Sequence, residues 1–272
     1  MHWAALSLVG LVLVLFPQIY KNLPGHFSFK GLVFSALLVQ NWGFSLISWN
    51  SPAWSLSTEW LVSLAFPMFL LSARRVTHGR TAMMLCFGCL MAFAAFLLAT
   101  HSITPNVVGK SGVIRTGCEF AAGCFLYRIY AIGLRANITA ELITLGAFLI
   151  GLLVPNLSLL CVFGFPPLIL LATQPSSLVA RTVSNPAMVF LGEISFSIYL
   201  LHWILLEVSN RAQVALGIHG FIAVLWFIGF TALLITLSTV TYYLIEIPAR
   251  QRFRGQKIIR RRRKRSALSI LP

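Results

Sequence analysis

Three stretches of this chain contain no Asp, Glu, Lys or Arg between their ends: Arg80 to Lys110, Glu141 to Arg181 and Arg211 to Glu246. A hydrocarbon core of ~30 Å is crossed by about 20 apolar residues in a helix, so each stretch holds at least one crossing. Soluble domains carry about 25% charged residues. Here the figure is 10%, with 58% hydrophobic residues and a mean hydropathy of +0.86. The fold class expected is all-α, a polytopic transmembrane bundle, and a soluble globular domain is excluded.

Apolar runs and their breakers predict nine crossings, near 3–20, 31–48, 55–73, 81–100, 112–130, 139–154, 157–174, 187–209 and 219–246. Gly164, Pro166 and Pro167 are expected to interrupt the seventh. Basic residues sort with that count. Lys21, Lys30, Arg74, Arg75, Arg80, Arg128, Arg135 and Arg181 fall in loops on one side together with the C-terminus, and Lys110 and Arg211 on the other. The positive-inside bias then puts the C-terminus in the cytoplasm and the N-terminus outside.

The formal charge of +15 does not describe a nucleic-acid surface, because much of it lies in the tail from Arg250, with "RRRRKR" at its core. A basic block beside a final membrane helix is a cytoplasmic anchor for anionic lipid. Residues 1–249 are accordingly read as one membrane domain and 250–272 as a basic cytoplasmic tail. The five cysteines sit in apolar runs, and Cys86 and Cys89 are read as packing residues despite their CxxC spacing. No metal site is expected. The N-terminus lacks the basic region and cleavage site of a signal peptide and reads as a retained helix.

Charged or hydroxyl side chains inside a membrane helix need a partner or a task. Four strings carry them. In "NSPAWSLSTEWLVSLAFP", Ser55 and Glu59 share one helical face with Trp54 and Ser57 nearby; helix capping by Ser51 or Ser55 is the alternative. In "RTGCEFAAG", Arg115 and Glu119 stand four apart and form an ion pair, while Gly117 and Gly123 admit a close neighbour. In "LGEISFSIYLLHW", Ser195, Tyr199 and His202 make one polar stripe suited to a wet cavity. In "YYLIEIPARQRFR", Pro248 ends the last helix and Arg250 pairs with Glu246. Arg74, Arg75 and Arg80 either follow the positive-inside bias or meet an anionic cytoplasmic ligand such as a CoA phosphate. His26, His78, His101 and His219 lie in loops or at a helix end, where solvation accounts for them.

The strings "WSLSTEW", "RTGCEFAAG", "LGEISFSIYLLHW" and "IEIP", preceded by "LLVQNW" at Leu37–Trp42, resemble in order and spacing the acyltransferase 3 family of integral membrane O-acyltransferases. The resemblance implies transfer of an acyl group, acetyl above all, from cytoplasmic acyl-CoA to a hydroxyl of a sugar, polysaccharide or glycolipid, in a bacterial inner membrane. It implies acyl-CoA as a donor substrate rather than a resident cofactor. Its partners are the lipid bilayer, acyl-CoA and the carbohydrate or glycolipid acceptor, with no nucleic acid.

Carried over by position, Glu59, His202, Arg115 and Glu119 are the catalytic candidates. Trp54, Ser55, Ser57, Ser195 and Tyr199 are the substrate-binding candidates, and Arg74, Arg75 and Arg80 the candidates for donor phosphates. Members of the family begin with a further helix bearing an Arg and, about a dozen residues on, a His. Met1 falls where the helix after it starts, so the chain is read as N-terminally truncated relative to the family. The alternatives are an inactive relative or partner subunit and, from another class, a transporter, since intramembrane Glu and Arg also mark permeation paths.

Overall fold

The structure is a computed structural model that describes residues 1–18, 25–43, 47–102, 105, 107–133 and 137–252. Lys21, Arg135 and the basic tail beyond Arg252 lie outside the described residues. Among those described there is no strand, and eleven α-helices hold most of the residues. Two compact units form, Asn22–Val189 and a second made of Met1–Lys21 with Phe190–Pro272.

The first unit begins with α1 (Phe29–Ala36), whose start is capped by Ser28, the Oγ accepting from Gly31 N at 3.0 Å. Although the apolar run continues to residue 48, the helix stops at Ala36 and Leu38 takes a positive φ of 58°. The run was expected to cross as one helix. It turns instead because Gln40, Asn41 and Trp42 spend their donors on the next helix, and irregular backbone at membrane depth survives only where protein satisfies it.

That next helix, α2 (Ala53–Leu64), meets α3 (Phe66–Arg75) at 58°. Pro67 has no N–H to give the carbonyl of Ser63, so the helix breaks, and Ala65 N closes a tight bond to Val62 O instead. The predicted third crossing is therefore two helices with a sharp bend between them and not one straight helix. Helix α4 (Gly79–Ala99) and α5 (Lys110–Ile132) hold the core. Ala82, Cys86, Leu90, Phe93 and Leu97 recur every three or four residues along one face of α4, and Ala122, Leu126 and Ile129 of α5 answer them. Cys86 is wholly buried there, as a packing residue. Gly133, at φ 84°, ends α5 in the left-handed conformation.

Helices α6 (Ile138–Leu153) and α7 (Leu159–Ala172) form a hairpin around the short 3₁₀ turn Pro155–Leu157. They approach so closely that a Cβ on Gly151 would stand 2.9 Å from Cys161 Sγ. Contrary to expectation, Pro166 and Pro167 lie inside α7 without ending it. The Glu141 carboxylate, buried on α6, accepts from Val179 N at 2.9 Å and so caps α8 (Leu178–Val183).

The second unit holds α9 (His2–Leu15), most of α10 (Pro186–Ala215) and α11 (Gly220–Thr241). Ile194, Ser197, Leu201 and Ile204 form the buried stripe of α10. A π-helical turn, Tyr242–Glu246, follows α11, and helix resumes through Arg252. Pro248 was expected to stop this helix. It falls instead inside the continuous helix, in the first turn after the π segment, and does not end it.

By length and composition, α4, α10 and the continuous Gly220–Arg252 helix are able to cross a membrane, and the bent α2–α3 pair is a fourth if it is one span. The apolar helices α6, α7 and α9 are shorter.

Candidate active site

In the first unit the polar residues of "LLVQNW" and "WSLSTEW" are knitted together. Ser57, fully buried on α2, accepts from Asn41 N at 3.1 Å, and its carbonyl accepts from Trp42 Nε1 at 2.9 Å. Asn41 Nδ2 donates to Trp54 O at 3.1 Å, and Gln40 Nε2 to Ala53 O at 3.0 Å. These bonds tie the preceding segment to the first carbonyls of α2, whose start has no side-chain cap and whose first N–H groups are closed by backbone turns, Ala53 N donating to Asn50 O at 2.9 Å and Trp54 N to Ser51 O at 3.3 Å. The capping expected of Ser51 or Ser55 in this string is not made; backbone turns close the helix start instead.

The first signature then docks on the second. Thr58 Oγ1 lies 2.8 Å from Thr116 Oγ1 on α5. Thr58 also reaches Ser55 O and Thr116 reaches Gly112 O, each at 2.8 Å. Each hydroxyl has one proton, so one donates across the helix pair while the other donates to its own helix. The Trp54 ring lies so close over Gly112 that a Cβ there would stand 2.7 Å from it. Thr58 and Thr116 were passed over in the sequence because threonine inside a helix so often bonds back to its own carbonyls. Gly112 precedes the recognised string, so nothing marked it.

Around this junction stand the charged candidates. Arg115 Nε donates to Glu119 Oε1 at 3.0 Å, the pair expected from their spacing, and Arg115 Nη1 donates to Pro105 O at 3.2 Å. Both side chains are about one-third exposed, at 28% and 37%. Glu59, next to Thr58, is exposed and makes no hydrogen bond or ion pair among the described residues. Ser55 and Trp54 are half-buried beside it.

The third and fourth strings are joined in the second unit, through a residue the stripe did not include. Ser195 is exposed and donates to Gly192 O of its own helix at 2.7 Å. Ser197, two residues on and fully buried, donates to Glu246 Oε2 at 3.1 Å. The other Glu246 oxygen pairs with Arg250, as expected, and the guanidinium of Arg250 lies over the Tyr242 ring at 6.0 Å. The signal for Ser197 was its register with Ile194, Leu201 and Ile204, a hydroxyl on the apolar face.

Tyr199 and His202 remain neighbours, with ring centroids 5.9 Å apart. His202 Nδ1 is 2.7 Å from Tyr199 O. A carbonyl only accepts, so Nδ1 carries a proton, and it is Nε2 that faces away from this bond. The phosphate candidates are all exposed, Arg74 and Arg75 in the last turn of α3 and Arg80 in the first turn of α4.

A helical membrane protein whose intramembrane polar residues are paired string to string is the class these observations define. Residues 3–243 match the acyltransferase domain of the acyltransferase 3 family, and the chain belongs to that family. It is similar to acyltransferase MdmB of Streptomyces mycarofaciens, 23% identical over 237 residues that cover 78% of this chain. The chain spans 59% of that relative's length. No solved structure matches it.

Proposed function

We propose that this chain moves an acyl group, acetyl in the first instance, from acyl-CoA to a hydroxyl of a sugar, polysaccharide or glycolipid at a bacterial plasma membrane. The observation that carries the reading is the docking of "WSLSTEW" on "RTGCEFAAG" through Thr58, Thr116, Trp54 and Gly112. It gives two charge-bearing strings of an acyltransferase family a common anchor inside an apolar bundle. The proposed topology has nine crossings, the N-terminus outside and the C-terminus cytoplasmic, with 1–249 as the membrane domain and 250–272 as a tail on anionic lipid.

Transfer requires the acceptor oxygen to attack the thioester carbonyl while its proton passes to a base, and the carbon–sulfur bond then to break, releasing CoA as its thiol once protonated. Glu59, with no partner of its own, and His202, with its Nε2 lone pair, are the bases proposed. Arg115 has donors left after its bonds to Glu119 and Pro105, and these are suited to the developing oxyanion, with Glu119 holding the guanidinium in place. Trp54, Ser55, Ser57, Ser195 and Tyr199 are proposed to shape the acceptor site. Of the three candidates for the donor phosphates, Arg74, Arg75 and Arg80, the exposed Arg75 and Arg80 are proposed for them, because Arg74 lines a groove between α3 and α5.

The test is CoA release. Membranes containing these 272 residues, given acetyl-CoA and a panel of glycosides and glycolipids, are expected to liberate CoA thiol in step with acceptor acylation. Thiol release that never exceeds empty membranes would return the chain to the inactive relative or partner subunit. Movement of an acceptor across sealed vesicles without acylation would favour a transporter.

A further inference from the structure

Helices α3 and α5 enclose a groove of about 700 Å³ that has no place in the acyl-transfer scheme. Its size is that of a small-molecule site. Phe66, Leu70 and Phe120 supply apolar walls, Gly123 lies between them, and Arg74 and Arg128 stand on its lining with no acidic residue beside them. The Phe66 and Phe120 rings meet edge to face, their centroids 6.0 Å apart.

Along α5 the lining runs from Phe120 to Ala131, a rise of about 16 Å at ~1.5 Å per residue. That is half of a ~30 Å hydrocarbon core, the depth of one leaflet. Charge is confined to the far end. Arg128 donates its Nε to Val76 O at 2.6 Å, which fixes it at the C-terminus of α3 and leaves its terminal nitrogens for another acceptor. Arg74, in the last turn of α3, is exposed and has no ion pair among the described residues.

We infer that this groove is a binding site for an anionic phospholipid of the surrounding leaflet. One acyl chain lies along Phe66, Leu70 and Phe120, and the headgroup phosphate rests between Arg74 and Arg128. Gly123 is what lets the chain in: a Cβ placed there meets nothing within 4 Å, so the space beside it is open. The dimension of the groove selects a lipid over a soluble phosphate, because a free anion leaves the apolar stretch along Phe66, Leu70 and Phe120 unfilled. The inference does not depend on the catalytic assignments.

The experiment reconstitutes the whole chain in phosphatidylcholine nanodiscs containing a trace of phosphatidylglycerol with a diazirine in one acyl chain, and maps the photo-crosslinks by peptide mass spectrometry. Crosslinks are expected on residues between Phe66 and Ala131, and unlabelled phosphatidylglycerol should remove them while added phosphatidylcholine does not. Arg74→Gln is expected to weaken labelling about fivefold, the value of one basic side chain near an anionic surface. Gly123→Leu should remove it by filling open space, and the exposed Arg74→Gln change keeps the test valid should that variant fail to fold. Equal labelling by a phosphatidylcholine probe, or labelling indifferent to Arg74→Gln, would overturn the site. So would competition by acyl-CoA and not by phosphatidylglycerol, which would make the groove a donor channel.

Discussion

The hydroxyls of Thr58 and Thr116 lie 2.8 Å apart and join two helices that contribute a charged candidate each, one residue away on either side: Glu59 and Arg115. A contact between two small side chains draws the helices close and gives the neighbouring positions a fixed depth. In an apolar surrounding such a bond has no water to compete with, yet its net worth stays modest, because each hydroxyl falls back on its own helix carbonyl when the partner is lost.

That fallback sets the first prediction. Thr58→Val and Thr116→Val are each expected to lower stability by about 0.5–1.5 kcal/mol. The double variant should cost less than the sum, because both remove the same bond. Thermal melting in detergent, read by intrinsic fluorescence, measures the cycle. Strict additivity would mean that the two hydroxyls act separately.

Gly112 is the tighter constraint. A methyl group there would stand 2.7 Å from the Trp54 ring, and a ring held by its neighbours cannot give way as a flexible chain does. Gly112→Ala is expected to cost about 1–3 kcal/mol by overpacking, and Trp54→Leu in the same chain should recover part of it. Gly117→Ala, where a Cβ meets nothing within 4 Å, is the control expected to melt like the parent chain.

How far these relations could be read beforehand varies with the kind of force. Charge-free runs reveal membrane helices because exclusion of charge is a property of each residue alone, and the Arg115–Glu119 pair follows from helical spacing. The run 31–48 misleads for the opposite reason. Its hydropathy suits a crossing, but Gln40 and Asn41 find acceptors on Ala53 and Trp54, a distant relation that no local window contains. The stripe Ser195–Tyr199–His202 was legible as one face of a helix, and Tyr199 and His202 do stand together. Which face of α10 is buried was not, and the burial falls on Ser197. Pro248 shows the same limit, since the helix runs on past it to Arg252 after the π turn just before it.

The Ser197–Glu246–Arg250 chain predicts an order of effects. Glu246 is buried, its side chain 7% exposed, whereas Arg250 is 56% exposed. Removing the arginine leaves a buried carboxylate without its counter-charge, so Arg250→Ala is expected to destabilise by about 1–3 kcal/mol. Glu246→Gln keeps a hydrogen-bonding side chain for Ser197 and frees only an exposed cation, and should cost less. Ser197→Ala should fall between them. Melting midpoints of the three variants give the order, and a Glu246→Gln chain less stable than Arg250→Ala would contradict the burial argument.

The catalytic proposal is separable from stability at Glu59, because that side chain has no bond to lose. Glu59→Gln preserves shape and removes the proton acceptor. Its melting midpoint is expected to match the parent within about 0.5 kcal/mol, as for other changes that break no contact. CoA release should fall about 10²–10⁴-fold if the carboxylate takes the acceptor proton. His202→Gln supplies the contrast: it removes the Nε2 lone pair while retaining a donor for the Tyr199 carbonyl. A large loss in His202→Gln with Glu59→Gln near parental activity would transfer the base role to the imidazole. Arg115→Lys, which keeps the charge but not the planar fork held by Glu119, is expected to lower the turnover rate more than it raises the KM for acetyl-CoA, because its spare donors are assigned to the oxyanion and not to the donor's phosphates.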